Sequence, residues 1–391
     1  MTRISVQMNK LELTTKVLLT LAMLAPGCTS LGPVAESKWQ PTKTRVIYRG
    51  NPEGARYKVQ PSVVRMLDGS LVAMVEPAEH PVFIRSTDGG ETWSQPYAGV
   101  LPEKIGGIHS IGVRRDGRLI AVVGQGEENL HTEVKKSTVT LEGGREGIVY
   151  SGYRYEETMR LVFSSDHGKT WTIGNKLDLS PMVSGWSWVG GKILELDDGT
   201  LLVPVGCYLS AEEMDGIWLS AGVLRTNDEG ATWSASVIAR ANRDAWGYYS
   251  EPAIAELDDG SLVALLRTED NIISGRSSDE PKWSGLHWSI SNDRGKTWTT
   301  SGQVLDGSHC SVVQLPDRVL LCGFHRPPQL ALSADKGETW YESMLWLTDE
   351  PKKNWGWYTS VEVVDDDTAI ALMKAYPEPH IIYSCLLHRQ P

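Results

Sequence analysis

The 391-residue chain has no apolar run long enough to cross a bilayer: the stretch Val17 to Ala25 falls well short of the ~20 residues a spanning helix needs. Its basic residues form no long runs and the net charge is −11, so there is no electrostatic footprint for nucleic acid. Histidines and cysteines show no zinc spacing, and Gly124-Gln125-Gly126 does not open a helix. No metal, dinucleotide or other cofactor is expected. Beyond Cys28 there are four cysteines, Cys207, Cys310, Cys322 and Cys385. A turn at Asp317-Arg318 would set Cys322 opposite Val313, leaving Cys310 three positions out of register, so no disulfide is expected and all four read as buried thiols.

What is present begins with a leader. Arg3, Lys10 and Lys16 precede the apolar stretch, a pattern that fits a secretory signal and an exported mature chain. Leu24-Ala25-Pro26-Gly27-Cys28 is similar to the box at which bacterial lipoproteins are cleaved and lipidated, which would anchor the chain through Cys28; plain signal-peptidase cleavage is the other reading. The expected division is a signal over 1–28, a tether over 29–42 and one domain over 43–391, in the periplasm, on the cell surface or secreted.

That domain is written twice over as a repeat. A Ser/Thr-x-Asp-x-Gly-x-Thr-Trp pattern occurs five times, ending at Trp93, Trp171, Trp233, Trp298 and Trp340. Each copy offers a carboxylate for backbone amides, a Gly free to take positive φ and an anchoring Trp. Interleaved with it are six segments in which an Asp-Gly-like turn joins two apolar runs: Val63 to Val75, Ile111 to Val123, Lys192 to Val205, Ala253 to Leu266, Ser311 to Phe324 and Val361 to Met373. Hairpin, third run, Asp turn and fourth run make a four-stranded antiparallel blade. Six blades imply an all-β, six-bladed β-propeller. The sixth lacks a fourth strand, and Thr44 to Tyr48 is the spare segment that would close the ring.

This geometry sends both kinds of Asp turn to one face and function to the other. Around that second face the chain offers Tyr57, Lys58 and Gln60 with Glu76; His109 with Gln125 and Glu127; and Trp186 and Trp188 with Tyr208. Tyr248, Tyr249 and Glu251 follow with Arg267, then His309 with His325 and Arg326, then Trp357 and Tyr358 with Lys374. An insertion from Gln125 to about Glu156 should overhang the same face, either as a variable loop or as a lid or specificity wall.

The Asp boxes and six blades resemble the sialidase (neuraminidase) superfamily over nearly the whole mature chain, in the manner of bacterial exo-α-sialidases. Ser250-Glu251-Pro252 with Leu265-Leu266-Arg267 looks like the segment that carries the catalytic Glu and one arginine of the carboxylate clamp. His325-Arg326 looks like the segment with another clamp arginine, and Trp357-Tyr358-Thr359-Ser360 like the one with the nucleophilic Tyr. The resemblance implies a retaining glycosidase acting on a terminal acidic sugar of a glycan, sialic acid foremost, with Tyr358 as nucleophile, Glu251 as its base, and Arg267 and Arg326 binding the sugar carboxylate. Two departures stand out. Arg56-Tyr57-Lys58-Val59-Gln60-Pro61 has Lys58 where the family has its first arginine, with Arg56 as a possible substitute, and Glu76-Pro77-Ala78-Glu79-His80 lacks the acid/base Asp. Glu79, Glu76, His80 or the 125–156 loop is left as the source of the acid. The alternatives are a glycosidase for another acidic sugar, or a non-catalytic glycan-binding propeller in which the aromatic ring holds sugar faces; the bland reading of Glu251 and Arg267 is a structural ion pair.

Overall fold

In a computed structural model the described residues are 38–391, apart from 53–59, 78–79, 103–105, 126–134, 141–145, 152–157, 179–185, 190, 208, 210–218, 242–246, 271, 275–284, 326–327, 342–343, 346–356 and 375–379. All regular structure among them is β, arranged as six antiparallel blades with a small additional sheet. Residues 1–28 and most of the expected tether lie outside the described residues.

Each blade runs from an inner first strand to an outer fourth. In blade four the strands are Gly247–Glu256, Leu262–Asp270, Gly285–Ser291 and Thr299–Leu305. Second strands such as Leu201–Cys207 are buried at every residue, because neighbouring blades cover both of their faces; the outer strand Thr299–Leu305 is largely exposed. Six apolar clusters fill the six junctions between adjacent blades. The cohesion of the ring is therefore lateral, blade against blade.

The ring closes through the spare strand. Arg45–Arg49 pairs antiparallel with Ile381–Arg389, the third strand of blade six, which makes Arg49 opposite Ile381. A shorter strand, Trp39–Pro41, falls inside the expected tether and extends the same ladder. It is held because Trp39 is buried and donates its indole N–H to Asp317 at 3.0 Å.

The hairpins occur where expected, but their turns differ by one residue. In the first, Gly69 donates to Met66 O, Met66 donates to Ser70 O, and Gly69 has φ +80°. That is a three-residue loop, a type I turn followed by a left-handed residue, and it recurs in hairpins two to five. In the fifth, Arg318 takes the glycine's role at φ +67°. The register therefore sets Cys322 opposite Val312 rather than Val313, two positions from Cys310. All four described cysteines are buried free thiols.

The Asp boxes are built as their residue types require. In the fourth, Gly295 N–H donates to Ser291 Oγ at 2.9 Å, while Thr297 gives its N–H to Asp293 Oδ1 at 2.8 Å and its hydroxyl to Oδ2 at 2.6 Å. These bonds from Thr297 hold the Asp293 carboxyl down at about 2. The residue before the box glycine has positive φ and reaches the hairpin turn of the preceding blade: His167 meets Asp68, Glu229 meets Arg114 and Arg118, Arg294 meets Asp197 and Asp198, and Lys336 meets Asp259. Hairpin turns and Asp boxes thus share one face and stitch it together.

Candidate active site

The opposite face is built from irregularities. In blade four, Ser250 pairs with Arg267 and the ladder resumes at Ala253 with Leu265, so Glu251 and Pro252 oppose the single residue Leu266. In blade five, Ser308 pairs with His325 and Cys310 with Phe324, which leaves His309 extra. In blade six, Trp357 pairs with Lys374 and Thr359 with Met373, which leaves Tyr358 extra. Blades two and three repeat the device at His109 and Ser187. Such bulges bend a strand and re-aim the extra side chain. Glu251, His309 and Tyr358 also have φ of +46°, +35° and +61°, conformations that cost non-glycine residues about 1–3 kcal/mol each.

The bulges gather two groups of side chains. Arg267 Nη1 donates to Glu251 Oε2 at 2.6 Å, with both side chains mostly shielded from solvent. Tyr358 is ringed by partners from blades five and six. His309 lies edge-on to it with ring centroids 4.5 Å apart, His325 is at 6.2 Å, and Lys374 Nζ lies 5.9 Å from the ring centre. Lys374 is fully buried. His309 connects the groups: burial pushes its pKa below the usual imidazole value, the Glu251 carboxylate raises it and the Arg267 guanidinium lowers it. Its Nδ1 is buried without a hydrogen-bond partner among the described residues.

Two further histidines near this face are held neutral by burial, His109 and His287, each pushed down to about 4. Tyr249 lies 3.4 Å from His287 Nδ1 through its hydroxyl and belongs to the packing between blades three and four. Where blades six and one meet, Tyr48 of the closing strand donates its hydroxyl to Glu76 Oε1 of blade one at 2.6 Å, and burial together with that carboxylate raises the phenol's pKa.

Below the site the bore of the ring is bridged. Lys192 of blade three reaches the facing blade six, donating to Val361 O and to Glu362 Oε2, both at 2.6 Å. Above it, the insertion of blade two forms a hairpin, Lys135–Thr140 with Glu146–Ser151, whose second strand pairs with Ile272–Ser274 from the corresponding loop of blade four. The two insertions are joined as one small sheet.

The structure thus brings Glu251 together with Arg267, and surrounds Tyr358 with His309, His325 and Lys374. Arg56, Lys58, Glu79 and Arg326 lie outside the described residues. The sequence reading put His309 and Lys374 on the ring without a role, yet a signal was there: Glu251, His309 and Tyr358 each stand eight positions ahead of a hairpin-turn aspartate, Asp259, Asp317 and Asp366.

Known proteins agree with this architecture. The family model for the BNR repeat-like domain matches residues 149–368, and that for the BNR/Asp-box repeat matches residues 84–95. A sialidase of Bacteroides fragilis is 26% identical over 367 residues, covering 83% of this chain; the chain spans only 60% of that protein's length. Among solved structures, a Hadza microbial sialidase aligns with TM-score 0.61 at 19% identity over 88% of this chain and 68% of its own. An α-L-arabinanase of Penicillium chrysogenum aligns with TM-score 0.60 at 14% identity over 89% and 98%. At these identities the structural likeness is one of fold. With its family model matched over more than half the chain, its Asp boxes and its six blades, the chain belongs to the BNR repeat-like family of the sialidase superfamily.

Proposed function

We propose that the chain is an exported, retaining exo-glycosidase that removes a terminal acidic sugar, sialic acid foremost, from glycoconjugates. The observation that carries this reading is the use of strained bulges to aim Glu251 and Tyr358 from blades four and six at one face, with Arg267 beside Glu251. A sugar whose anomeric carbon bears a carboxylate repels a carboxylate nucleophile, whereas a neutral phenol attacks once its proton is removed. Tyr358 is the nucleophile in this scheme and Glu251 the base.

The Glu251–Arg267 pair is compatible with a catalytic role as well as a structural one. One guanidinium nitrogen balances the Glu251 charge, and an arginine has five N–H donors, so others remain to face a substrate carboxylate. Arg326 and Lys58 complete the clamp on grounds of sequence alone, with Arg56 as the alternative to Lys58. For the acid, Glu76 is the weakest candidate, because its carboxylate already accepts the Tyr48 hydroxyl; Glu79 or the 125–156 loop is preferred. The leader supports export, and a lipid anchor at Cys28 is part of the same proposal.

The test is release of 4-methylumbelliferone from its α-sialoside by protein beginning at Lys38, beside Tyr358→Phe and Glu251→Gln. Turnover in the wild type that both variants lose supports the reading. Hydrolysis of an arabinoside or uronide instead would retain the glycosidase and replace the sugar. Glycan binding without turnover, unchanged in Tyr358→Phe, would make the chain a binding module.

A further inference from the structure

We propose that His309 is a positioning residue that fixes the Tyr358 phenol and relays its proton toward Glu251. Three observations carry this. The imidazole packs edge-on against Tyr358 with centroids 4.5 Å apart. Its Nδ1 is buried with no hydrogen-bond partner in another described residue, the ring's own backbone being the one such group that acts on it, in a protein where buried polar atoms are normally satisfied. Its backbone is strained in the same sense and at the same level as those of Glu251 and Tyr358, on the blade between theirs. Ordinary packing does not call for a bulged, positive-φ histidine with an orphaned nitrogen.

The groups that face His309 are Glu251 and Arg267 from blade four, His325 from its own blade, and Tyr358 from blade six, with Lys374 lying over the Tyr358 ring. Burial and Arg267 favour the neutral ring, which has one N–H and one free lone pair, as a relay requires. In the first step the phenol oxygen bonds to the anomeric carbon as the glycosidic C–O bond breaks. The phenolic proton passes to one imidazole nitrogen, the other nitrogen gives its proton to the Glu251 carboxylate, and the leaving oxygen takes a proton from a separate acid. In the second step water attacks the anomeric carbon and gives its proton to the conjugate base of that acid. The Tyr358–sugar bond breaks and the phenolate recovers its proton from Glu251 by the reverse path. The ring is neutral before and after each step.

The kinetic side of the inference rests on the glycosidase reading, so the experiment has an arm that does not. His309→Asn keeps a donor and an acceptor and tolerates positive φ, but it cannot relay. Its kcat should fall about 100-fold with KM within about twofold and the acid limb of the pH profile altered; added imidazole should restore part of the kcat of His309→Ala. A wild-type kcat and pH profile in His309→Asn would overturn the proposal and leave the glycosidase reading intact. The second arm follows the His309 ring protons by NMR against pH in wild type, Glu251→Gln and Tyr358→Phe. Loss of the Glu251 charge should lower the His309 midpoint, and loss of the phenol hydroxyl should shift its signals. No change in either variant overturns the proposal even if no substrate is ever turned over.

Discussion

The two faces of the propeller are built on opposite principles. On the Asp-box face the same hydrogen bonds recur box after box, as with Gly90, Gly168, Gly230, Gly295 and Gly337 donating to the Ser or Thr of their own box. Each box also packs its Trp toward the preceding blade. On the other face the bulged residue changes from blade to blade, His109 and His309 alone sharing a residue type among His109, Ser187, Glu251, His309 and Tyr358. Repetition serves cohesion, and departure from it serves chemistry. Positive-φ residues occur on both faces, but on the Asp-box face they reach partners in the neighbouring hairpin turn, whereas on the site face they sit in bulges beside a buried imidazole.

Lys192 and Glu362 lie between the faces, and cutting their link is the largest structural perturbation expected. Lys192→Met should leave Glu362 as a shielded, unpaired charge and cost about 3–5 kcal/mol in urea unfolding. Stability within about 0.5 kcal/mol of wild type would mean that the bridge across the bore contributes nothing. Asp293→Ala comes next, because it strips the acceptor from the Thr297 amide and hydroxyl. It should cost about 1–3 kcal/mol while kcat per folded molecule is unchanged.

Acid should separate the faces by pH. His109 and His287 bind protons less well folded than unfolded, so the stability tied to their neutrality is present above about 6.5 and lost as pH falls toward 4. For Asp228 and Asp293 the same sign applies in a lower window, from the ordinary carboxylate value of 3.8 down to about 2. Hydrogen exchange at pH 5 should therefore rise first around blades two and four on the site face. Simultaneous loosening of both faces would break the distinction. The smallest effect belongs to an exposed stitch: Lys336→Ala removes the pair with Asp259 and should cost under about 1 kcal/mol.

The same contrast explains what could be read from the sequence. Blades, hairpins, Asp boxes and the closing strand were legible because each is a local pattern repeated several times. The turn register was off by one because Asp-Gly suits both a two-residue loop and a three-residue loop with a left-handed third residue. Trp39 falls within the tether expected from sequence because a three-residue strand has no alternation to detect, and its indole bonds to Asp317, far along the chain. The stitches and the sheet joining the insertions of blades two and four are pairings between distant segments, which no local pattern announces. At the site, Glu251, Arg267 and Tyr358 were legible through a family resemblance, while His309 required the bulge register to give it a partner.

The most direct test of the division between the faces is the steady-state rate of sialoside hydrolysis by Tyr358→Phe and Asp293→Ala, measured together with their melting temperatures. Tyr358→Phe should lose turnover to background with its melting temperature held, and Asp293→Ala should melt earlier with turnover per folded molecule held. Full turnover in folded Tyr358→Phe, or loss of turnover in folded Asp293→Ala, would contradict the account.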